Sequence, residues 1–364
     1  MFSRSAFILL SALTRLALAL NQGDLTVSLK AVESSVKSAS DIVITAVVSN
    51  PTGNDIRVLK THNVLDTSAT QSFDIKSADG KDVTFAGIKA SFDLTHDSLY
   101  VTIPAGQSVA VNHTVSPFYD FSSFSSGTTF SFTAHSTAFQ SGADDTPIVV
   151  ESDTVQVQVT DDLSFTPFFT QPASLSTPTC SDGGRKQVIT DALKYARSLA
   201  GGAATDITSS NPNGPHFQTY FGGNSNQDIW FNLDRVAGDQ VGNRGIFCSI
   251  DHADATSFCN GNPGVIAYTV VGGSETPIYV CELFFQAGTT PSICDTHSYD
   301  STMASTGGII LHELSHAVFG ADDVTYGCSA CAALSPADKK RNADNYRCIG
   351  LNVYLDWNCV NGPR

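Results

Sequence analysis

Hydrophobic and polar residues alternate along the first half of the chain. Between Leu25 and Val159, apolar residues recur at every second position in short runs that Gly, Pro, Asn, Asp and Ser separate. Period-two alternation with turn residues between the runs predicts an all-β antiparallel sandwich of about seven strands. Examples of the alternation are Leu25-Val27-Leu29, Ile42-Ile44, Val109-Val111, Phe130-Phe132 and Val155-Val157-Val159.

A proline-containing segment then separates two different patterns. Residues 161–178 place three prolines among Ser, Thr and Phe, a composition typical of a linker or a processing region. Beyond it, apolar residues follow a helical spacing after a possible N-cap at Ser181 or Asp182. Residues 179–364 are therefore predicted to form a mainly α (α+β) domain. The helical positions are Val188, Ile189, Ala192, Ala196 and Leu199.

The N-terminus predicts secretion. Residues 1–19 begin with a basic residue at Arg4, continue through an apolar stretch and end in the small-x-small pattern Ala17-Leu18-Ala19, as in a secretory signal peptide. Arg15 interrupts the apolar stretch, so a membrane anchor stays open as the alternative. No later run has the 18 or so apolar residues that a membrane span needs. We expect an extracellular protein without a membrane span, in which residues 20–160 form the β-sandwich.

Composition and charge narrow the function. The chain has 364 residues, 41% hydrophobic, with 20 basic and 35 acidic side chains and a net charge of -15. This length predicts about two globular domains, and the acidic balance argues against a nucleic-acid partner. All nine cysteines lie between Cys180 and Cys359. In an oxidising compartment most should pair, although Cys328-x-x-Cys331 leaves zinc thiolates open as an alternative.

The pattern His312-Glu313-x-x-His316 carries the candidate chemistry. On a helix, residues i and i+4 share one face, so both histidines can direct a ring nitrogen at a single zinc ion. Glu313 lies beside that face, where it can take a proton from the attacking water. By contrast, four histidines of the first half are scattered singly and are interpreted as surface or strand residues: His62, His96, His113 and His135.

A catalytic zinc site needs a third protein ligand. No histidine or glutamate follows His316, which leaves aspartates as the downstream candidates. Glu282 and His297 are possible upstream, but a short return from the end of the helix closes a smaller loop. We therefore expect Asp322 or Asp323, and elimination alone does not choose between them. The downstream aspartates are Asp322, Asp323, Asp338, Asp344 and Asp356.

The stretch Gly320 to Gly327, G-A-D-D-V-T-Y-G, resembles the GTxDxxYG signature of the deuterolysin family of fungal zinc endopeptidases, the aspzincins. The resemblance implies a zincin-like metallopeptidase domain with one Zn²⁺ per chain. It selects Asp323 as the third ligand, beside His312 and His316. It also assigns Tyr326 to stabilising the oxyanion, a role that a phenol hydrogen-bond donor suits.

The resemblance extends over about the last 190 residues. A late run, Asn342-Ala343-Asp344-Asn345, looks like a family segment whose Asp binds substrate, which makes Asp344 a candidate substrate-binding residue. The resemblance further implies that residues up to about 178 are a prosegment, acting as an intramolecular inhibitor or chaperone. The cysteine pairs that it implies are Cys180 with Cys248, Cys259 with Cys281 and Cys294 with Cys359.

This sequence departs from the family pattern in three ways. Ala321 replaces the motif threonine, and no dibasic pair marks a cleavage site between residues 161 and 180. Arg347 stands where family members that cut before lysine carry a glutamate. Because an arginine beside the pocket should repel a lysine side chain, we expect no strict lysyl specificity.

The sequence therefore predicts a secreted zinc-dependent endopeptidase, made as a zymogen and acting as a monomer on protein or peptide substrates. Two other functions stay open. One is a binding or adhesion protein that acts through the β-sandwich and carries an inactive peptidase-like domain. The other is a peptidase specialised as a toxin or effector on one target. The intact Glu313 argues against the binding protein, which would have no chemical need for that base.

Overall fold

A computed structural model describes residues 20–136, 138–142, 147–166, 178–209, 213–239, 244–273 and 275–359. The predicted signal peptide and most of the predicted linker lie outside these ranges. Within them, no helix combines the length and the apolar character that crossing a bilayer requires.

The first half of the described chain forms strands. They are β1 (Thr26–Ala31), β2 (Ser35–Ser38), β3 (Val43–Ser49), β4 (Ile56–Leu59), β5 (Phe73–Ser77), β6 (Thr84–Phe85), β7 (Ile88–Phe92), β8 (Tyr100–Ile103), β9 (Ser108–Thr114), β10 (Tyr119–Asp120), β11 (Thr129–Ala134), β12 (Ala138–Phe139), β13 (Ile148–Val149) and β14 (Val155–Asp162).

The second half is mainly helical, as the spacing of apolar residues predicts. Its elements are β15 (Pro178–Thr179), α1 (Gly183–Ser209), α2 (Pro215–Phe221), α3 (Asn226–Ala237), β16 (Ile246–Cys248), α4 (Ala253–Gly261), β17 (Val265–Val270), β18 (Ile278–Val280), α5 (Ile293–Thr296), α6 (Thr306–Phe319), α7 (Cys328–Ala333), α8 (Pro336–Arg341) and α9 (Ala343–Asn358).

Two sheets of the first half share one apolar core. One has the order β1-β3-β9 and the other the order β2-β14-β11-β5. Inward residues alternate with outward ones along each strand, as in β3, where Ile44, Ala46 and Val48 are fully buried. Phe130 and Phe132 of β11 belong to the same buried cluster. The period-two pattern of the sequence thus corresponds to strands with one buried face.

The strand β7 leaves this arrangement and joins a sheet of the second half. The five-stranded sheet has the order β15-β16-β18-β17-β7, and β7 runs antiparallel to β17. The register pairs Ala90 with Tyr268 and Lys89 with Thr269. The change of pattern along the sequence predicts two separate units. The structure instead joins them through backbone hydrogen bonds, because an open sheet edge binds another strand readily.

A separate apolar cluster packs the two halves together. It combines Ile88, Ala90 and Phe92 of the first half with Tyr268 and Tyr326 of the second half, all buried. Burial of aromatic side chains contributes strongly to such contacts. The first half therefore lies directly against the face of the second half that carries the HExxH helix.

That helix, α6, is the central element of the second half. Its N-cap is Ser305, whose side chain accepts a hydrogen bond from the Gly308 amide, and every residue from Thr306 to His316 is buried. Gly308 allows close packing, since a Cβ there would lie 3.1 Å from Leu351 Cδ1 of α9. Helix α6 also packs against α1 and β17. Packing on several sides fixes the direction in which its two histidines point.

Helix α6 ends at Gly320, which adopts φ 75° and ψ 34° in the left-handed region. The Gly320 amide donates to the carbonyls of His316 and Ser315, which completes the last turn. The chain then reverses toward the helix, so the next residues return to the histidines. A glycine is the residue for which this conformation costs least.

Four disulfides stabilise the second half. Three are the pairs that the family resemblance implies: Cys180–Cys248, Cys259–Cys281 and Cys294–Cys359. The fourth joins Cys328 to Cys348, and Cys331 is a buried free thiol. The Cys328-x-x-Cys331 spacing therefore does not form a pair of zinc thiolates, because Cys328 is oxidised.

Replacing Gly320 by alanine should destabilise the fold by about 1–2 kcal/mol, since a Cβ is strained in the left-handed region. Nothing lies within 4 Å of a Cβ at Gly320 or at Gly53, and Gly53 has no positive φ. Gly53→Ala is therefore the matched control, expected within about 0.5 kcal/mol of wild type. Urea unfolding in the presence of a chelator measures both, and equal losses in the two variants would contradict the assignment.

Candidate metal centre

Three side chains converge at the end of α6. His312 Nε2 and His316 Nε2 lie 3.0 Å apart. Asp323 Oδ1 lies 3.0 Å from the first nitrogen and 3.2 Å from the second. All three residues are buried, and together they form a group that could hold a metal ion. Two imidazoles and a carboxylate are ligands typical of zinc.

The Asp323 carboxylate shows that the group suits a cation. Within the described residues, neither Oδ1 nor Oδ2 accepts a directed hydrogen bond, although both atoms are buried. An isolated buried carboxylate is costly unless a positive charge compensates it. Burial raises the pKa of Asp323, but attraction to His316 and His62 outweighs this, so the pKa lies well below its usual range. The carboxylate is thus ionised and ready for a cation.

The two histidines are held by their other ring nitrogens. His316 Nδ1 lies 2.8 Å from the Ala321 carbonyl oxygen, and His312 Nδ1 lies 3.1 Å from Asp344 Oδ1. Partners of this kind fix the ring orientation and direct Nε2 at the metal. Burial lowers the pKa of His312, but the neighbouring Asp323 and Asp344 carboxylates outweigh it and raise the pKa to about 10. A metal bound here would displace a proton from His312.

Asp344 is the centre of a buried charged network. Its Oδ2 accepts hydrogen bonds from the Gly327 amide and from Arg347, and its Oδ1 accepts a second bond from Arg347 Nε at 2.6 Å. Burial raises the pKa of Asp344, but the Arg347 charge and the bond to His312 lower it below its usual range. Asp344 is thus an anion that orients His312. Substrate binding by Asp344 stays a prediction.

The loop after Gly320 places Asp323 and directs Asp322 elsewhere. Asn342 Oδ1 accepts hydrogen bonds from the amides of Val324 and Thr325, which fixes the loop against the start of α9. Asp322 forms ion pairs with Lys89 and with Arg341. Of the two aspartates that elimination left open, the structure brings only Asp323 to the histidines.

Other candidate ligands have different partners in the described chain. Glu282 forms an ion pair with Arg185 at 2.9 Å, and Asp356 lies 2.9 Å from His216. His297 is exposed at the end of α5. These three residues have other surroundings. The third candidate ligand, Asp323, therefore comes from the short loop that follows α6.

Glu313 lies beside the metal group and is fully buried. Its Oε2 accepts a hydrogen bond from Thr269 Oγ1 at 2.7 Å, and its Oε1 accepts bonds from Ser91 Oγ at 2.7 Å and from the Ser91 amide at 3.2 Å. Burial raises the pKa of Glu313. A carboxylate with a raised pKa is better matched to accepting and returning a proton near neutral pH.

Tyr326 lies against His312 of the metal group. Its ring stacks on His312 with centroids 5.8 Å apart, and its hydroxyl donates a hydrogen bond of 2.7 Å to the Ala90 carbonyl oxygen. Burial raises its pKa well above the usual value, and nearby carboxylates add to the effect. The phenol therefore stays protonated and can donate a hydrogen bond to an oxygen beside the metal.

Several residues around the site cannot be identified from sequence patterns. Thr269 and Ser91 hold Glu313, and they come from two strands with no motif to identify them. His62 Nε2 lies 3.0 Å from the Ala90 carbonyl and 3.7 Å from Asp323 Oδ2. The sequence predicts a surface or strand residue at His62, but the structure places it, partly buried, beside the metal group. Its positive φ of 55° marks an uncommon backbone conformation that the sequence does not announce.

The chain is similar to known metallo-endopeptidases. Residues 206–349 match the aspzincin family model, described as lysine-specific metallo-endopeptidase. A neutral protease 2 homologue from Neosartorya fischeri is 34% identical over 187 residues, covering 50% of this chain and 37% of the relative. The peptidyl-Lys metalloendopeptidase of Armillaria mellea is 25% identical over 373 residues, covering 97% of this chain and 99% of the relative.

The length of the alignments differs among these relatives. The alignments cover 37% and 38% of the neutral protease 2 homologues from Neosartorya fischeri and Aspergillus fumigatus, little more than a third of each. Among solved structures, a zinc peptidase from Grifola frondosa matches at 22% identity and a TM-score of 0.36. That match covers 48% of this chain and 97% of the other.

Removing the Asp323 carboxylate should abolish tight metal binding. Zn²⁺ titration of Asp323→Ala should show an affinity at least about 100-fold weaker than wild type, since one of three ligands is lost. Asp322→Asn is the matched control, because it changes the adjacent carboxylate without removing a ligand, and it should stay within about tenfold of wild type. If Asp322→Asn lost the metal and Asp323→Ala kept it, the ligand assignment would be wrong.

Proposed function

We propose that this chain, whose residues 206–349 match the aspzincin family model, is a secreted zinc-dependent endopeptidase that is made with an inhibitory prosegment. The observation that carries the proposal is the buried Asp323 carboxylate next to two imidazoles, with the buried Glu313 carboxylate and Tyr326 phenol nearby. The β-sheets and helices of the second half are compatible with a zincin-like peptidase domain.

His312, His316 and Asp323 would hold the zinc ion. When bound, zinc supplies Lewis-acid activation of water and of the substrate carbonyl. The neighbouring side chains then supply the proton transfers and the hydrogen bonds that peptide hydrolysis requires.

Glu313 moves the proton. It accepts a proton from the attacking water, whose oxygen forms a bond to the carbonyl carbon of the peptide, and it returns that proton to the leaving amine nitrogen as the C–N bond breaks. The hydrogen bond from Thr269 Oγ1 to Oε2 holds the carboxylate in place and leaves Oε1 facing β7. The amide of Ser91 on that strand marks where an amine nitrogen can approach Glu313.

Tyr326 stabilises the oxyanion. Its hydroxyl already donates to a peptide carbonyl oxygen in this structure, that of Ala90. A preorganised donor contributes most where negative charge develops in the transition state. Asp344 acts through His312, since it contacts the ring nitrogen that faces away from the metal.

The names of the relatives raise lysine specificity, which we do not extend to this chain. Arg347 is buried and binds both oxygens of Asp344. An arginine in this place neutralises the carboxylate that would otherwise attract a lysine side chain. We propose a peptidase that does not require lysine after the cut bond.

Glu313→Gln should lower kcat by about 10³-fold or more while zinc stays bound, because the variant loses the base and keeps the three ligands. Tyr326→Phe should lower kcat by about 10²-fold through loss of one oxyanion donor. Casein hydrolysis and zinc content measure the two effects, with Glu282→Gln at an exposed residue and Tyr354→Phe at a partly buried one as controls outside the metal group. Full activity of Glu313→Gln would contradict the mechanism.

The uncut full chain should be latent, because residues of the first half lie against Glu313 and Tyr326. A recognition site for an unrelated, specific protease placed at residues 167–177 allows cleavage on demand. Hydrolysis of a quenched peptide should rise after cleavage and separation of the first half. Full turnover by an enzyme that keeps residues 21–160 attached would contradict the inhibitory role.

A further inference from the structure

The strand β7 covers the edge that a peptide substrate would need. In the second half, β17 pairs with β18 on one side and with β7 on the other. Without β7, β17 is the edge strand of that sheet, and it lies next to helix α6. Extended peptides bind open sheet edges by adding a strand, with the backbone giving affinity and side-chain pockets giving specificity.

One peptide bond of β7 lies between the two groups that would carry out hydrolysis. The Ala90 carbonyl oxygen accepts a hydrogen bond of 2.7 Å from the Tyr326 hydroxyl. The next amide, that of Ser91, donates a hydrogen bond of 3.2 Å to Glu313 Oε1. The carbonyl thus lies at the oxyanion donor and the amide nitrogen at the base. These are the positions that the two ends of a bond about to be cut would take.

Alternation along the strand places Lys89 on the same face as Ser91. The Lys89 ammonium forms an ion pair with Asp322 Oδ1 and donates a hydrogen bond of 2.7 Å to the Ala321 carbonyl oxygen. The residue is only 9% exposed. The other oxygen of Asp322 is bound by Arg341 at 3.0 Å. One carboxylate oxygen and one carbonyl oxygen therefore face the lysine.

We propose that β7 is bound in the manner of a substrate, and that Asp322 Oδ1 with the Ala321 carbonyl forms a subsite for lysine or arginine. In substrates, this basic residue is the second one before the cut bond. This proposal rests on the proposed peptidase function, because the position of the subsite is defined relative to the bond that the peptidase would cut. The Lys89 contact itself does not depend on that function.

The chemistry of the subsite explains why it selects a cation. A buried ammonium is stable only when acceptors surround it, and here it has a carboxylate and a carbonyl. A glutamate in the same place would meet Asp322 as a like charge, which costs affinity. An alanine would leave Asp322 with Arg341 alone. The order of preference is therefore Lys and Arg, then Ala, then Glu.

The first test measures retention of the first half and needs no activity. A full chain cut at an inserted site in residues 167–177 is diluted in chelator, and the dissociation constant of the two parts is measured. Lys89→Glu should raise this constant at least about tenfold, since tenfold corresponds to 1.4 kcal/mol and a buried charge pair is worth more. Lys30→Glu, an exposed lysine of β1, is the matched control.

Lys89→Gln serves as a second variant that removes the charge without reversing it, and circular dichroism before cleavage checks that each chain is folded. A graded increase from Lys30→Glu through Lys89→Gln to Lys89→Glu supports the subsite. A dissociation constant for both Lys89 variants equal to that of Lys30→Glu would overturn it.

The second test measures selection among substrates. Four peptides that differ only in the second residue before the cut bond, Lys, Arg, Ala or Glu, are compared by kcat/KM with the activated enzyme. The ratio of Lys to Glu should be at least about tenfold, and Asp322→Asn should reduce that ratio toward one. Equal kcat/KM for all four peptides would overturn the subsite and leave the peptidase standing. Hydrolysis of none of them would contradict the peptidase function, and the retention measurement would then still decide the Lys89 contact.

Discussion

In the described part of the chain, one buried carboxylate that accepts no directed hydrogen bond governs the arrangement of the second half. Asp323 is buried and lies 3.0 and 3.2 Å from two imidazole nitrogens. Such an anion is stable only beside positive charge, from protonated histidine in the metal-free chain or from a metal cation. Each ligand has its own support: Asp344 behind His312, the Ala321 carbonyl behind His316 and Asn342 on the loop that carries Asp323. The left-handed Gly320 turns the chain so that these supports meet.

The same site explains why the two halves are joined as they are. Strand β7 completes the sheet next to α6, and its backbone satisfies both Glu313 and Tyr326. A buried carboxylate and a buried phenol would each lose a hydrogen-bond partner if that strand left without replacement. In the proposed function, a substrate strand replaces it. The interface between the halves thus uses the polar groups that the reaction would use.

The extent to which sequence predicts this structure depends on how local each feature is. Helix α6 and the pairing of His312 with His316 follow from spacing within five residues, so the pattern determines them. Asp323 and Asp322 are neighbours of the same type, and residue type alone cannot separate them. What separates them is where each side chain points, toward the histidines or toward Lys89 and Arg341. The family resemblance chose Asp323, which the structure brings to the histidines.

Contacts between residues that are far apart along the chain could not be predicted from the sequence. Alternation identifies β7 as a strand but does not say which sheet it joins, because the pairing with β17 spans more than 170 residues. His62 gave no signal, since its place depends on that pairing and on a left-handed backbone. From the sequence, Arg347 is expected only to repel a lysine side chain of the substrate. The structure shows a buried ion pair, which a helical i,i+3 spacing allows.

The proposed zinc centre of two histidines and Asp323 can be identified from the atoms that bind the metal. Zinc K-edge X-ray absorption of the purified full chain, loaded with one equivalent of Zn²⁺, reports the atoms around the metal. The account predicts two imidazole nitrogens and oxygen ligands at about 2.0–2.2 Å, with no sulfur. A spectrum with zinc–sulfur scattering at about 2.3 Å, or without imidazole scattering, would contradict it.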